Sequence, residues 1–524
     1  MKKPSPSIFL PDWLGRCAEN NPEQMAVQCE QERWSFAELD RRVTELARRL
    51  ATLGVQEGKR VALLAANGLP YVALVHALTR LGAVLVPLNR RLTIEELCWQ
   101  LHDVRASLLV CDDNDALLAA EIRSSMPSLP VATLGEESKR GEVVLSQLPA
   151  KDVSLRTLID LDAAQAIMYT SGTTGQPKGA IITYGMLWWN AVGSALNLGH
   201  RLDDRWLACL PLYHIGGLSI LMRSVIYGIS VVIHKKFDPA SINRSIFEDD
   251  ITIISVVAVM LQRMLANLDS DWGGESYPAR LRCVLLGGGP VPYPLLETCM
   301  RRAIPVVQTY GLTESASQAA TLSPVDAVRK PGSAGRPLPP VQLRIMHEGG
   351  QRPAEPDEPG EIFLKGPTIT PGYIGSPEAT ERAFHDGWFA TGDIGYLDKE
   401  GYLFVLDRRA DLIISGGENI YPAEIESILQ AHPTVKEVGV CGLPDGQWGQ
   451  VPVAFVVPEA GSTISVGELL DYAAQRLARY KRPRAIYPVE QLPRTSSGKL
   501  RRRELPELLL SAHGESKQRI DKAE

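Results

Sequence analysis

No run of about eighteen apolar residues escapes interruption by a charge anywhere in this chain, so nothing in it reads as a membrane-spanning helix. Paired cysteines are missing too: the eight present, at 17, 29, 98, 111, 209, 283, 299 and 441, form no Cys-x-x-Cys and no zinc-ligand spacing, which leaves reduced, buried thiols. Basic charge is not in excess. With 55 Lys and Arg against 61 Asp and Glu, the formal net charge of −6 lacks the positive field a nucleic-acid partner requires. Solenoid and coiled-coil periods are absent. The opening MKKPSPSIFLPDW carries two lysines, but Pro4 and Pro6 interrupt it and Asp12 closes it, so no signal-peptide core forms and a cytoplasmic location is expected.

What is present is an ordinary globular composition, 45% hydrophobic and 22% charged over 524 residues. That length exceeds one hydrophobic core and predicts roughly three or four structural units. Ser35-Phe36-Ala37-Glu38 reads as a capping box opening a helix through Arg48 and Arg49. Apolar runs at 60–65 and 83–88 predict buried strands around a helix at 71–81, and similar strand-like runs return at 107–110, 229–233, 252–257 and 281–286. Strand, helix, strand in repetition argues for parallel sheets covered by helices. Past residue 330, short runs divided by Gly and Pro, at 360–366 and 401–406, predict a small barrel-like unit. Beyond Asp407 a compact α+β pattern resumes, with a helix from Ala423, strands at 438–441 and 453–457, a helix from Val466 and a polar tail from Ser511.

Three loops follow apolar strands. YTSGTTGQPKG, at 169–179, packs hydroxyls, glycines and Lys178 after the strand-like 166–169, a composition suited to an anion cradle of inward backbone N–H groups. It is not a Walker A loop, because Lys178 follows Pro177 and precedes Gly179, and the same composition also suits a flexible linker. LGGGP at 286–290 brings backbone close to a flat ligand or makes a tight structural turn. QTYGLTE at 308–314 sets an aromatic face, a hydroxyl and a carboxylate together, although Tyr310 suits a core equally well.

With GWFATGD at 387–393, DRRADLIISGGENI at 407–420 and PRTSSGK at 493–499, these loops occur in the order found in adenylate-forming enzymes. Over nearly its whole length the chain resembles the acyl-CoA synthetases and their luciferase and peptide-synthetase relatives. The resemblance implies two half-reactions: a carboxylate attacks the α-phosphate of ATP, and the thiol of coenzyme A then attacks the acyl-adenylate. It implies that Thr170, Ser171, Thr173, Thr174 and Lys178 hold the β- and γ-phosphates, that Thr313 meets the α-phosphate, and that Glu314 ligates Mg2+. Gly287, Gly288, Gly289 and Pro290 with Tyr310 and Gly311 would hold adenine. Asp393 would accept the ribose hydroxyls with support from Arg408, and Lys499 would meet the reacting carboxylate and α-phosphate. Without the resemblance, Asp393 reads as a turn cap and Arg408 and Lys499 as exposed charges.

The implied architecture is α/β: a large N-terminal domain (1–406) of two parallel-sheet βαβ subdomains plus a small barrel-like unit, a hinge (407–411), and a small mobile α+β C-terminal domain (412–524). Relatives rotate that domain between half-reactions, and Gly416 and Gly417 would then line the thiol tunnel. The hinge departs from the family pattern, with Ala410 where Asp or Lys is usual. Arg479, Lys481, Arg482 and Arg484 could meet the phosphates of coenzyme A, but they read rather as a solvated basic turn and receive no role.

The acid pocket is expected among 210–224, the Gly287 turn and the residues after Glu314. LPLYHIGGLSILMRSVIYG, at 210–228, resembles the branch of the superfamily that activates a dicarboxylic aromatic acid. His214 would close over the adenylate, and Ser219 and Arg223 would face the acid. Arg223, in an apolar helix, requires either the second carboxylate of the substrate or a structural salt bridge. Other aryl- or fatty-acyl-CoA synthetases and a carrier-charging module stay open as alternatives. No carrier domain follows the last motif, which favours a stand-alone ligase. The oligomeric state is open, a homo-oligomer included.

Overall fold

The computed structural model describes residues 7–170, 177–273, 276–289, 291, 293–347, 352–407, 413–420, 422–459, 461–493, 500 and 502–509. The chain divides into two compact units, one of Met1–Arg90, Leu97–Tyr169 and Gly179–Leu406, the other of Arg91–Glu96, Thr170–Lys178 and Asp407–Glu524. No helix among the described residues is long and apolar enough to cross a membrane.

The first unit contains the two sheets expected from the βαβ alternation. One, of seven strands, runs Lys178–Thr183, Ala164–Thr170, Val84–Pro87, Arg60–Leu64, Leu108–Cys111, Val131–Thr133, Val143–Val144 in spatial order. The parallel register sets Val61 beside Leu85 and Leu108, so Arg60–Leu64 lies between neighbours and is buried along its apolar run. The other sheet has nine strands, with Val306–Tyr310, Cys283–Leu286, Ile253–Val256, Arg205–Ala208 and Ser230–Ile233 as its parallel centre. Met25–Cys29 and Glu32–Ser35, which no alternation flagged, complete its far edge as an antiparallel pair. Trp206, Tyr71, Tyr184, Tyr402 and Phe36 are the largest fully buried side chains of this unit.

The expected barrel-like unit is a five-stranded sheet of Gln342–Met346, Gly360–Lys365, Trp388–Leu397 and Phe384–His385, with Leu403–Asp407 joined to Trp388–Leu397. In the second unit, Val435–Asp445 and Gly449–Pro458 form a long antiparallel pair, and Ile413–Ser415 and Ala485–Pro488 both join Gly449–Pro458. The helices Pro422–Gln430 and Val466–Ala474 complete the α+β arrangement.

The capping box at Ser35 forms by half. Ser35 Oγ accepts from the Glu38 N–H at 3.2 Å and caps the helix Phe36–Thr52. The Glu38 carboxylate, however, takes Arg42 Nε and Nη2 at 3.0 and 2.9 Å. Ser35 also ends the strand Glu32–Ser35, paired with Met25, so its backbone belongs to a ladder as well as to the helix. All eight cysteines are free and seven are buried, Cys98 being the half-buried one.

Candidate active site

Cys283–Leu286 and Val306–Tyr310 are adjacent parallel strands with Leu286 beside Gln308, so Gly287 and Tyr310 stand at neighbouring carboxyl ends. Ligands of open α/β sheets bind at such ends. A Cβ on Gly287 would lie 2.7 Å from the Thr309 methyl carbon, and Gly288 has φ +83°, so both glycines are required by this turn. The core reading of Tyr310 holds, since it is buried. It packs with Ala319, Ala320, Leu338 and Ile345, and its hydroxyl donates to Asp393 Oδ2 at 2.8 Å.

Asp393 is buried on the strand Trp388–Leu397. Its N–H donates to Thr391 Oγ1 at 3.0 Å, and the preceding Gly392 N–H donates to Glu361 Oε1 at 2.8 Å, so backbone and carboxylate are both oriented. Glu361 carried no signal in the sequence, since its partner lies 31 residues away. Gly311 is explained by the fold: a Cβ there would sit 1.4 Å from the Ser317 carbonyl oxygen.

Thr313, Glu314 and Ser315 form one 3-10 turn, with Glu314 buried and Thr313 half-buried. Glu314 Oε1 accepts from the Tyr373 hydroxyl at 2.9 Å, and its carbonyl accepts from the Thr370 N–H at 2.8 Å. Among the described residues no group of three or more His, Cys, Asp or Glu could cage a metal. A single oriented carboxylate that leaves other positions to water and substrate phosphates is the donor set Mg2+ uses, and Glu314 fits it.

The helix Ile215–Tyr227 carries the residues expected at the acid. His214 is its N-cap, exposed, with its ring 4.7 Å from that of Tyr213 and its carbonyl accepting from the Gly217 and Leu218 N–H groups. Ser219 and Arg223, one turn apart, share a buried face, and Arg223 Nη1 donates to Ser219 Oγ at 3.2 Å. Arg223 Nη2 donates to Asn190 Oδ1, and the guanidinium lies 5.3 Å from the Trp206 ring centre.

Arg223 is only 2% exposed, its Nε has no hydrogen-bond partner, and no carboxylate pairs with it among the described residues. The structural salt bridge considered for it is therefore not found. Burial pushes its pKa down, the direction expected of a cation without a counter-charge. Asn190, on the helix Tyr184–Leu198, donates from Nδ2 to the Gln318 carbonyl at 2.7 Å and the Ser315 carbonyl at 3.3 Å. It therefore ties Arg223 to the loop after Glu314, a link of 125 and 128 residues that periodicity does not reveal.

Thr170 ends one strand and Lys178 begins its sheet neighbour, with Thr170 Oγ1 donating to the Lys178 carbonyl at 3.5 Å. Ser171, Thr173, Thr174, Pro290, Arg408, Ala410 and Lys499 lie outside the described residues.

In the second unit, Gly416 and Gly417 connect Ile413–Ser415 to Glu418–Ile420, with φ +56° and +85°. Positive φ at both central residues is the signature of a tight primed hairpin turn, which accounts for the two glycines without a ligand. A Cβ on Gly416 would also meet Trp448 at 2.7 Å. Lys481 departs from the solvated reading: it is buried, with Nζ 2.8 Å from Glu424 Oε1 and 2.7 Å from Glu96 Oε1. Arg482 donates to the Leu477 and Ala474 carbonyls, capping the end of the preceding helical stretch.

Residues 14–374 match the family described as AMP-binding enzyme, and residues 424–499 the AMP-binding enzyme C-terminal domain. The 2-succinylbenzoate–CoA ligase of Geobacillus kaustophilus is 50% identical over 500 residues, covering 95% of this chain and 98% of that protein. A double mutant of Bacillus subtilis o-succinylbenzoate CoA synthetase, bound to the product analogue OSB-NCoA, superposes with a TM-score of 0.88 at 42% identity, covering 95% and 99% of the two chains. The Bacillus subtilis synthetase in complex with ATP and magnesium ion gives a TM-score of 0.72 at 42% identity over 95% and 100% of the two chains.

Proposed function

The chain belongs to the AMP-binding enzyme family, and from that premise we propose that it is an ATP-dependent acid–thiol ligase that joins 2-succinylbenzoate to coenzyme A. The observation that carries this reading is the 50% identity to a 2-succinylbenzoate–CoA ligase along 95% of the chain, which covers the site-bearing loops of both units. The substrates are the acid, ATP and coenzyme A, with Mg2+ as cofactor. The reaction belongs to menaquinone synthesis. A cytoplasmic location fits the eight free cysteines, since thiols persist in a reducing compartment.

In the first half-reaction an oxygen of the substrate carboxylate bonds to the α-phosphorus and pyrophosphate departs. In the second, the coenzyme A sulfur bonds to the acyl carbon and AMP departs. Negative charge develops in both steps, so positioned cations and donors are the main requirement. Lys178 with Thr170, Ser171, Thr173 and Thr174 holds the pyrophosphate end, Thr313 donates to the α-phosphate, and Lys499 supplies a cation to the adenylation step. Mg2+, held by Glu314, neutralises phosphate charge when bound. Tyr310 stacks on adenine against the Gly287 turn, Asp393, oriented by the Tyr310 hydroxyl, accepts from the ribose, and Arg408 is assigned to support the ribose. His214 closes the acid side. Gly416 and Gly417 flank the thiol arm.

Arg223 supports the choice of acid. 2-Succinylbenzoate has two carboxylates, of which only one is consumed, and a buried guanidinium without an acidic partner suits the other. The test is to follow pyrophosphate release and thioester formation with Mg-ATP, offering 2-succinylbenzoate beside benzoate, a medium-chain fatty acid and 4-coumarate. Preference for 2-succinylbenzoate with coenzyme A-dependent turnover is expected. Preference for another acid keeps the mechanism and overturns the substrate, and pyrophosphate release without thioester overturns the ligase.

A further inference from the structure

Tyr373 was singled out by no motif, yet its hydroxyl donates to Glu314 Oε1 at 2.9 Å across 59 residues of sequence. The backbone of Glu314 is held by the same short segment, through the Thr370 N–H on its carbonyl at 2.8 Å. On its other side the segment is stitched to the strand Lys178–Thr183. The Ile374 N–H donates to the Gly179 carbonyl at 2.8 Å, the Ile181 N–H to the Gly372 carbonyl at 3.1 Å, and Thr370 Oγ1 lies 2.7 Å from the Ile181 carbonyl oxygen. Tyr373 itself is pinned by its N–H to Thr380 Oγ1 at 3.0 Å, and Gly372, at φ +145°, leaves no room for a Cβ, which would meet Thr380 at 2.5 Å.

We propose that Tyr373 is a positioning residue that aims the Glu314 carboxylate at the cation of the bound nucleotide, with 370–374 setting its distance from the strand that leaves the glycine-rich loop. The inference rests on the reading of Glu314 as the Mg2+ ligand. Its physical content is that a carboxylate on a short 3-10 turn has two free side-chain torsions beyond the first, and a donated hydroxyl removes that freedom before the cation arrives. Ligating carboxylates are ordinarily held by such a partner, and losing the partner weakens the metal rather than the fold. Phenylalanine in place of Tyr373 retains the ring and deletes only the donor.

The experiment uses the full chain. Mn2+ binding is followed by its magnetic resonance signal in the presence of a non-hydrolysable ATP analogue, and binding of the analogue alone is measured in chelator. Tyr373→Phe is expected to weaken Mn2+ by about tenfold, the lower range for loss of a supporting partner, with binding of the analogue alone and the thermal midpoint unchanged. The Mg2+ requirement of pyrophosphate release is expected to rise in parallel, while thioester formation from supplied acyl-adenylate keeps its rate. Mn2+ affinity within about twofold of the parent, or equal loss of analogue binding with and without cation, overturns the proposal. Glu314→Gln separates the two readings. If it leaves Mn2+ binding unchanged, the metal assignment itself falls; if it weakens Mn2+ while Tyr373→Phe does not, only the positioning role falls.

Discussion

Arg223 is the residue we propose for the second carboxylate of the acid, and its burial was foreseeable from an arginine set among Leu, Met, Ile and Val in a helical segment. Which of its two fates applied was not, because a counter-charge comes from elsewhere in the chain. Asn190, Ser219 and the Trp206 ring solvate the guanidinium without neutralising it. A hydrogen bond to a charged group contributes about 1.5–3 kcal/mol. Arg223→Ala should therefore lower kcat/KM for 2-succinylbenzoate by roughly ten- to a hundredfold while changing benzoate turnover far less. Steady-state kinetics with the two acids checks this, and equal losses on both would place Arg223 in the fold and not at the substrate.

At the scale of elements, the parallel sheets were legible in the strands that are short apolar runs, whereas Arg205–Ala208 and Val306–Tyr310 were not read, nor was the fastening of the sheet. One carboxylate, Asp204, accepts from Arg282 Nε at 2.8 Å and Nη2 at 2.6 Å, from Thr252 Oγ1 at 2.8 Å and from the Arg201 N–H at 3.0 Å. Asp204, Thr252 and Arg282 immediately precede Arg205–Ala208, Ile253–Val256 and Cys283–Leu286, so this cluster ties the starts of three adjacent strands. Burial pushes the Asp204 pKa up, but these donors and the Arg282 charge outweigh it and hold the group below its ordinary value.

A depressed carboxylate stabilises the fold above its unfolded pKa and loses that contribution as pH falls through the folded one. Asp204→Asn should cost about 3–5 kcal/mol at neutral pH, because Arg282 keeps its charge without a partner. The difference between parent and variant should shrink below about pH 4, where the unfolded carboxylate is protonated. Urea unfolding at the two pH values reads it. A constant difference at both would show that the ion pair carries none of the effect.

For the whole molecule, two half-reactions with different nucleophiles require two sets of contacts. We propose that the 407–411 segment is the pivot between a 1–406 domain and a 412–524 domain, with Lys499 serving only adenylation. Lys499→Ala is expected to cripple pyrophosphate release while thioester formation from supplied acyl-adenylate stays near the parental rate. Single-turnover measurement of each half-reaction decides it, and equal loss in both would contradict the division of labour.

By itself the sequence determined the alternation of strands and helices and the glycine-rich turns at strand ends, since these are patterns within one helical turn, one pleat or one loop, while its resemblance to a family supplied the candidates for phosphate, ribose and acid. Tertiary structure alone decided which candidates meet. Tyr310 and Asp393 bond across 83 residues, Tyr373 and Glu314 across 59, and Asn190 and the Gln318 carbonyl across 128. It also showed where the backbone itself requires glycine, as at Gly311, Gly416 and Gly417. The physical reason is that hydrogen-bond partners and steric neighbours are set by chain crossings that bring distant segments within a few ångströms, whereas periodicity records only what each residue presents to its own element.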